Sequence, residues 1–396
     1  MSNIIKFILS VFCLSTSIIC AAQQDSVAQK DINDVLNIIF KKRDTVKIIK
    51  PISKYQFSVL PALGYSWQTG FSVVVTSNIA FKTSNLPNQK TSSINAGLTY
   101  SQYNQIIAPL TINYWTKNNK YNIVTDIRFL NYPDYVYGVG TTNEPKKEFL
   151  ISLTQLKLHQ SVLKEVAKNT YVGAAFQYDQ FWNLYGLDSA INSLPITSQY
   201  KTGNNEVAVG LGLRLLYDSR LNQINAKKGI YNNIIIRKNF TNLGSDVSWA
   251  SIITDTRLFV PFPQKSKNVL AFWLYNWVNL TNKIPSYLLL PSNGWDDSHN
   301  TARGYLQGRF KGSSLHFIET EYRFAITRNG LIGGVGFFNM QKYKDELFYI
   351  KNDIKFGYGM GLRIKFNKHS NANVCIDYGI GQDGSKGFFV NMGEVF

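Results

Sequence analysis

Between residues 354 and 366 every second residue is apolar. Ile354, Phe356, Tyr358, Met360, Leu362, Ile364 and Phe366 alternate with Lys355, Gly357, Gly359, Gly361, Arg363 and Lys365. Successive side chains of a strand point to opposite faces, so this run has one apolar, aromatic face and one small or basic face. The next run repeats the pattern, with Val374, Ile376, Tyr378 and Ile380 set against Asn373, Cys375, Asp377 and Gly379. A soluble sandwich also alternates, but its strands are usually shorter and its polar face looks at bulk water. Long runs with a fully apolar, aromatic face predict lipid outside and a lumen inside.

Composition fits that reading and excludes others. Charged residues make up 17% of the chain, against roughly 25% in ordinary soluble domains. Aromatics reach 14%, while mean hydropathy is only −0.14. Past residue 22 no apolar run approaches the ~18 residues a spanning helix needs, and the 44% apolar content excludes a disordered chain. The fold class expected is all-β: a transmembrane antiparallel barrel of about sixteen strands. The net charge of +17 suits a surface or lumen facing anionic lipid or lipopolysaccharide. Nucleic acid is not an expected partner, because the Lys and Arg are scattered through alternating segments instead of forming one patch.

The chain divides into three parts. Residues 1–22 read as a signal peptide: Lys6, the largely apolar Phe7–Cys20, then Cys20-Ala21-Ala22 before Gln23. A lipoprotein site at Cys20 is disfavoured by bulky Ile18 and Ile19. Cys13 and Cys20 leave with the signal, so Cys375 alone remains and no internal disulfide or Cys-based metal site is expected. Residues 23–54 are a short periplasmic tail or plug, too short for a folded domain. Their one apolar stretch, Val35–Phe40 before Lys41-Lys42-Arg43, reads as a tether or a short helix, the tether favoured. Residues 55–396 form the barrel. Its strands are expected near 55–65, 70–81, 92–102, 106–115, 120–130, 149–160, 170–181, 206–217, 229–240, 247–259, 268–280, 312–326, 329–342, 354–367, 372–382 and 387–396. With both termini periplasmic, connections after odd strands face outward and are the long ones. The longest, 131–148, 182–205 and 281–311, follow the fifth, seventh and eleventh strands.

The loop 281–311 contains Ala302-Arg303-Gly304-Tyr305, then Gly308-Arg309-Phe310. In the strand that follows, alternation turns Glu319, Glu321 and Arg323 to the lumen. Arg214, Lys355, Arg363 and Lys365 face inward by the same rule. A loop arginine near two lumen carboxylates suggests a loop folded into the barrel and held by a charge-assisted pair; the plainer reading is an exposed arginine above a self-satisfied lumen. The four His (His159, His299, His316, His369) are dispersed, without close metal spacing, and no Ser–His–Asp order stands out. No enzyme, cofactor or metal is expected.

At these motifs the chain resembles the BamA/TamA superfamily of outer-membrane barrels, the bacterial surface antigen family. The likeness runs from about 55 to 396. It rests on Arg303-Gly304-Tyr305, on Gly210-Leu211-Gly212-Leu213-Arg214 leading into Tyr217-Asp218-Ser219-Arg220-Leu221-Asn222, and on Lys228-Gly229-Ile230-Tyr231. Further matches are Tyr132-Pro133-Asp134 with Tyr137-Gly138-Val139-Gly140, Glu321-Tyr322-Arg323-Phe324, Asp377-Tyr378-Gly379-Ile380-Gly381 and the closing Phe396. The resemblance implies sixteen strands with a weak seam between first and last, and a sixth loop whose Arg303 enters the lumen. Asn339 stands where the family usually has Asp, so Glu319, Glu321 or Asp377 must supply the charge. The family's C-terminal sorting signal is matched by Phe388, Val390, Met392 and Phe396, while Glu394 breaks it. Residues 23–54 leave no room for the family's periplasmic POTRA domains, so a barrel-only member is expected. The function implied is aid to insertion, assembly or translocation of proteins at the outer membrane of a Gram-negative bacterium, with a passive or anion-favouring channel as the alternative. Expected partners are outer-membrane lipid and lipopolysaccharide, and a periplasmic partner or client outer-membrane proteins, around a monomeric barrel.

Overall fold

The computed structural model describes residues 27–39, 55–66, 70–86, 88–137, 139, 149–186, 205–281, 285–296, 300–344, 354–368 and 370–396. The signal peptide 1–22 and the connections 140–148 and 187–204 lie outside them. The described residues form one helix, α1 (Ile32–Ile39), and strands β1 (Tyr55–Ser66), β2 (Gly70–Phe81), β3 (Ser92–Ser101), β4 (Ile106–Trp115), β5 (Tyr121–Val136), β6 (Phe149–Ala167), β7 (Thr170–Gly186) and β8 (Asn205–Asp218). These continue as β9 (Gly229–Asn239), β10 (Ala250–Pro261), β11 (Val269–Asn279), β12 (Ser314–Ala325), β13 (Ile332–Lys344), β14 (Lys355–Asn367), β15 (Ala372–Gly381) and β16 (Lys386–Met392). All sixteen join one antiparallel sheet in chain order.

The pleat sorts the side chains as the alternation requires. On β13 and β14, Phe338, Tyr358, Met360 and Leu362 are exposed outward, while Asn339, Lys355 and Arg363 are buried inward. Register keeps the faces aligned: Glu319 sits opposite Asn339, Gly361 opposite Asp377, and Gly357 opposite Gly381. A one-residue slip would turn every one of these charges to lipid.

β5, β6 and β7 outrun the spans expected for them, ending at Val136, Ala167 and Gly186. The extra length has partners. Leu163 on β6 packs inward with Trp115 and Tyr171, while Tyr132 and Val136 on β5 and Leu184 on β7 pack with Tyr287, Leu289 and Leu290 of the loop between β11 and β12. The loop thus gives apolar residues a core to bury in beyond the bilayer band. β16 departs the other way, ending at Met392, short of the expected 396.

Residues 32–39 form a helix where a tether was favoured, because its N-terminus is capped. Asp34 N–H donates to Asp31 Oδ1 at 3.2 Å and Asp31 N–H donates to Asp34 Oδ2 at 2.9 Å, a reciprocal cap. The turn after β14 completes it: Lys368 N–H donates to Asp31 Oδ2 at 3.1 Å, and its ammonium lies 2.8 Å from Asp34. Lys30 N–H reaches the Asn329 carbonyl in the turn after β12. α1 is therefore fastened to the turns that join β12 to β13 and β14 to β15. Burial pushes the Asp34 carboxyl up, but the Lys368 ammonium and the Asp31 backbone N–H together hold it below its ordinary value.

Candidate functional site

The loop between β11 and β12 enters the lumen and is stiffened from within. Asp296 accepts from the N–H groups of Asn300 and Thr301, at 3.1 and 2.8 Å, and from the Thr301 hydroxyl at 2.7 Å. Asn293 takes the Phe310 N–H at 2.8 Å and donates to the Leu306 carbonyl at 2.7 Å. These bonds fix the arc on which Ala302-Arg303-Gly304-Tyr305 rides.

Arg303 is fully buried. Its Nη1 donates to Asp377 Oδ2 on β15 at 2.5 Å, and its Nη2 donates to Glu319 Oε1 on β12 at 2.5 Å and to Glu321 Oε1. All three acids named from the sequence therefore meet the one guanidinium. Phe337 covers it from β13, its ring centre 3.8 Å from the guanidinium carbon. Asn339 has a different job from that of a carboxylate. Its amide donates to the Arg303 carbonyl at 3.0 Å and to Glu319 Oε2 at 3.1 Å, so it clamps the loop backbone to the acid that holds the loop side chain. A buried cation left unpaired would cost several kcal/mol, which is why so many acceptors converge here.

Backbone approach makes the latch possible. Gly304 has φ +109°, and a Cβ there would lie 2.9 Å from the Ile380 carbonyl carbon. The wall opposite is cleared by glycine as well. A Cβ at Gly357 would lie 2.6 Å from the Arg303 carbonyl oxygen, one at Gly379 would lie 2.6 Å from Gly304 N, and one at Gly381 would lie 2.6 Å from the Tyr305 ring. β14 and β15 thus carry a trough in which the loop lies against bare backbone. Tyr305 closes it, its hydroxyl donating to the Phe356 carbonyl at 2.5 Å and accepting from Gln382 N–H at 2.9 Å. The recurrence of glycine on one face of β14 is the signal of this trough in the sequence.

The C-terminus is where expectation and structure part. Phe388 and Val390 stand outward on β16, and a sorting pattern would put Phe396 on the same face. Instead Gly393, at φ +96°, turns the chain inward, and Phe396 is buried against Trp273 and Phe259, ring centres 5.1 and 6.1 Å apart. Met392, the last residue of β16 before the turn, places its sulfur 3.6 Å from the Thr76 hydroxyl of β2. Glu394, which broke the apolar pattern, is the reason: it accepts from Arg363 Nε at 2.8 Å and from the Asn373 amide at 2.6 Å. Arg323 donates to the Phe396 carbonyl at 2.9 Å and to Glu321 at 2.6 Å. Loop, β12, β15 and tail therefore share one buried network in which Arg363 links Asp377 to Glu394.

Of the remaining inward cations, Lys355 lies 3.3 Å from Asp383, Lys365 reaches the Asn371 carbonyl at 3.4 Å, and Arg214 donates to Asn233 at 2.6 Å. Among the described residues no group of His, Cys, Asp and Glu is disposed to hold a metal ion.

No family model and no curated protein sequence matches the chain. Solved structures do. BamA from Haemophilus ducreyi lacking POTRA domains 1–3 superposes with a TM-score of 0.53 at 12% identity, covering 85% of this chain and 68% of that one. CdiB from Acinetobacter baumannii gives 0.54 at 11% identity over 86% of this chain, and CdiB from Escherichia coli gives 0.56 at 8% over 85%. This chain spans 60% and 62% of the two CdiB chains. At such identities the likeness is one of fold. The described residues of this chain form a barrel of the BamA and CdiB type, the fold of Gram-negative outer-membrane proteins, without POTRA domains.

Proposed function

We propose that this barrel helps proteins insert into, assemble in or cross the outer membrane. The observation that carries the reading is the seam between β1 and β16. β16 is seven residues long, and among the described residues ladders join each strand to its chain neighbours while none joins β16 to β1. Side chains bring the two ends of the sheet near each other: Asn367 at the end of β14 donates to Ser58 of β1 at 3.4 Å, and Thr76 of β2 to Met392 of β16 at 3.6 Å. An edge strand with free N–H and C=O groups is a template on which another strand can pair. The BamA and CdiB likeness supports the same reading at the level of fold. A passive anion channel is less well supported, because the latched loop and the inturned tail occupy the lumen and Arg323, Arg363 and Lys355 are already matched by carboxylates. Delivery of a client would then fall to a separate periplasmic partner.

The test uses the purified barrel in liposomes, with an unfolded outer-membrane protein added and its folding followed on unboiled gels. Faster folding than in empty liposomes is expected. Unchanged folding together with a large steady single-channel conductance would replace this reading by the channel.

A further inference from the structure

The lumen holds a second constellation, away from the latch and independent of client handling. A cavity of about 110 Å³, partly open to solvent, is walled by β5 to β11 and capped by Leu288, Leu289 and Trp295 of the inserted loop. Each of its two lining carboxylates has two basic partners. Asp126 lies 2.7 Å from Arg128 and 2.8 Å from Lys157, while Asp179 lies 2.7 Å from Arg237 and 3.0 Å from His159. Arg214 stands outside this matching. It is buried, donates through Nε to the neutral Asn233 amide, and makes no ion pair with an acid among the described residues. A second cationic donor, Arg237 Nη2, has no hydrogen-bond partner within the protein. The amide oxygens of Gln155 and Gln177 line the same cavity, buried and also without a partner. Trp249 and Trp277 supply aromatic walls.

Buried polar atoms are rarely left unmatched, and each one here specifies a complementary group. Two spare guanidinium donors call for an anion, which arginine recognises through charge-assisted bonds. Two spare acceptors call for hydroxyl donors. Indole walls take the apolar face of a ring, and a few convergent polar groups fix a ligand's orientation in a small-molecule site. We propose that this cavity binds a sugar bearing a phosphate or a carboxylate, its anion on Arg214 and Arg237, its hydroxyls on Gln155 and Gln177, and its ring against tryptophan.

The experiment is calorimetric titration of the full chain, in a detergent without a sugar headgroup, with four probes: glucose 6-phosphate, glucuronate, glucose and inorganic phosphate. Saturable binding of at least one acidic sugar is expected, with glucose and inorganic phosphate each at least about tenfold weaker, since each lacks half of the matching groups. Arg214→Gln should weaken the acidic sugar about tenfold or more, and Gln177→Leu should weaken it while leaving any binding of inorganic phosphate unchanged. Both variants are checked for the wild-type band shift on unboiled gels, and if one fails to fold the other decides. Absence of saturable binding by both acidic sugars, or wild-type affinity in the folded variants, overturns the site. Inorganic phosphate binding as tightly as the acidic sugars overturns the sugar assignment.

Discussion

Glu394 accepts a hydrogen bond from Arg363 Nε at 2.8 Å, although Glu394 lies beyond the end of β16 and Arg363 is in the middle of β14. The contact exists because Gly393 turns the chain off the sheet, and it fastens the tail to the same network that holds the loop. Removing one partner of a buried pair typically costs about 3–5 kcal/mol, because the other charge is left uncompensated. Glu394→Ala is therefore expected to lower the heat resistance of the folded barrel on unboiled gels, with Glu394→Gln intermediate. An unchanged profile for Glu394→Ala would rule out the tail as a structural element.

Arg303→Ala leaves Glu319, Glu321 and Asp377 gathered around an empty centre. Arg323 still pairs Glu321 and Arg363 still pairs Asp377, but Glu319 loses its cation and the loop its anchor, so the loss is expected to exceed that of Glu394→Ala and to free the loop for proteolysis. Arg303→Lys keeps the charge but cannot reach three acids through a planar fork, and should fall between the two. Protease digestion of folded barrel, followed by mass mapping of cuts between 285 and 313, measures both effects.

Gly379→Ala tests the trough separately from the charges. Its Cβ would lie 2.6 Å from Gly304 N, so the loop must lift away while every ionic partner remains in place. The loop should become protease-sensitive with the sheet intact, a cost of about 1–3 kcal/mol by analogy with overpacking. If Gly379→Ala protects the loop as wild type does, backbone contact is not what seats it.

The helix cap provides a pH test. Asp34 has its carboxyl held below its ordinary value in the folded state, by Lys368 and the Asp31 backbone N–H against the opposing effect of burial. A lowered acid contributes stability above its unfolded value of 3.8 and loses it as pH falls through the lower, folded value. α1 should therefore stay docked at neutral pH and release below about pH 4. The contribution is small, on the order of 1 kcal/mol or less for so accessible a pair. A fluorophore on a cysteine placed at Asn37 would report the release. Asp34→Asn should be loose at neutral pH already, and a pH response retained in that variant would show that another group is responsible.

Much of this was legible in the sequence, for a reason that also marks its limit. Period two is a local property, so the strands and their inner and outer faces could be read residue by residue, as Phe338, Tyr358 and Met360 show. Convergence of Glu319, Glu321 and Asp377 on Arg303 was within reach only through the Arg-Gly-Tyr motif, since alternation places acids on a face without saying what enters the lumen. The last strand is drawn to 396 when alternation is extrapolated past Gly393, where a single left-handed residue follows the strand's end at Met392. Glu394 was noticed as an exception to one pattern when it was a member of another. The length of β5 and β7 was hidden for the same reason: its partners, Tyr287 and Leu290, come from a loop about a hundred residues or more away in the chain.

The composition of the trough has a consequence for how the molecule is put together. Arg303 comes before β12 in the chain, yet its seat is made of Gly357 on β14 and Gly379 and Gly381 on β15, and one of its acids, Asp377, is 74 residues downstream. Until β15 has been laid down beside β14, the loop has nowhere to rest, and the lumen that it later fills stands clear. Insertion of the loop is therefore a late event by geometry alone. The latch closes only on a sheet that is already nearly complete, so a protected loop certifies that the last strands have arrived.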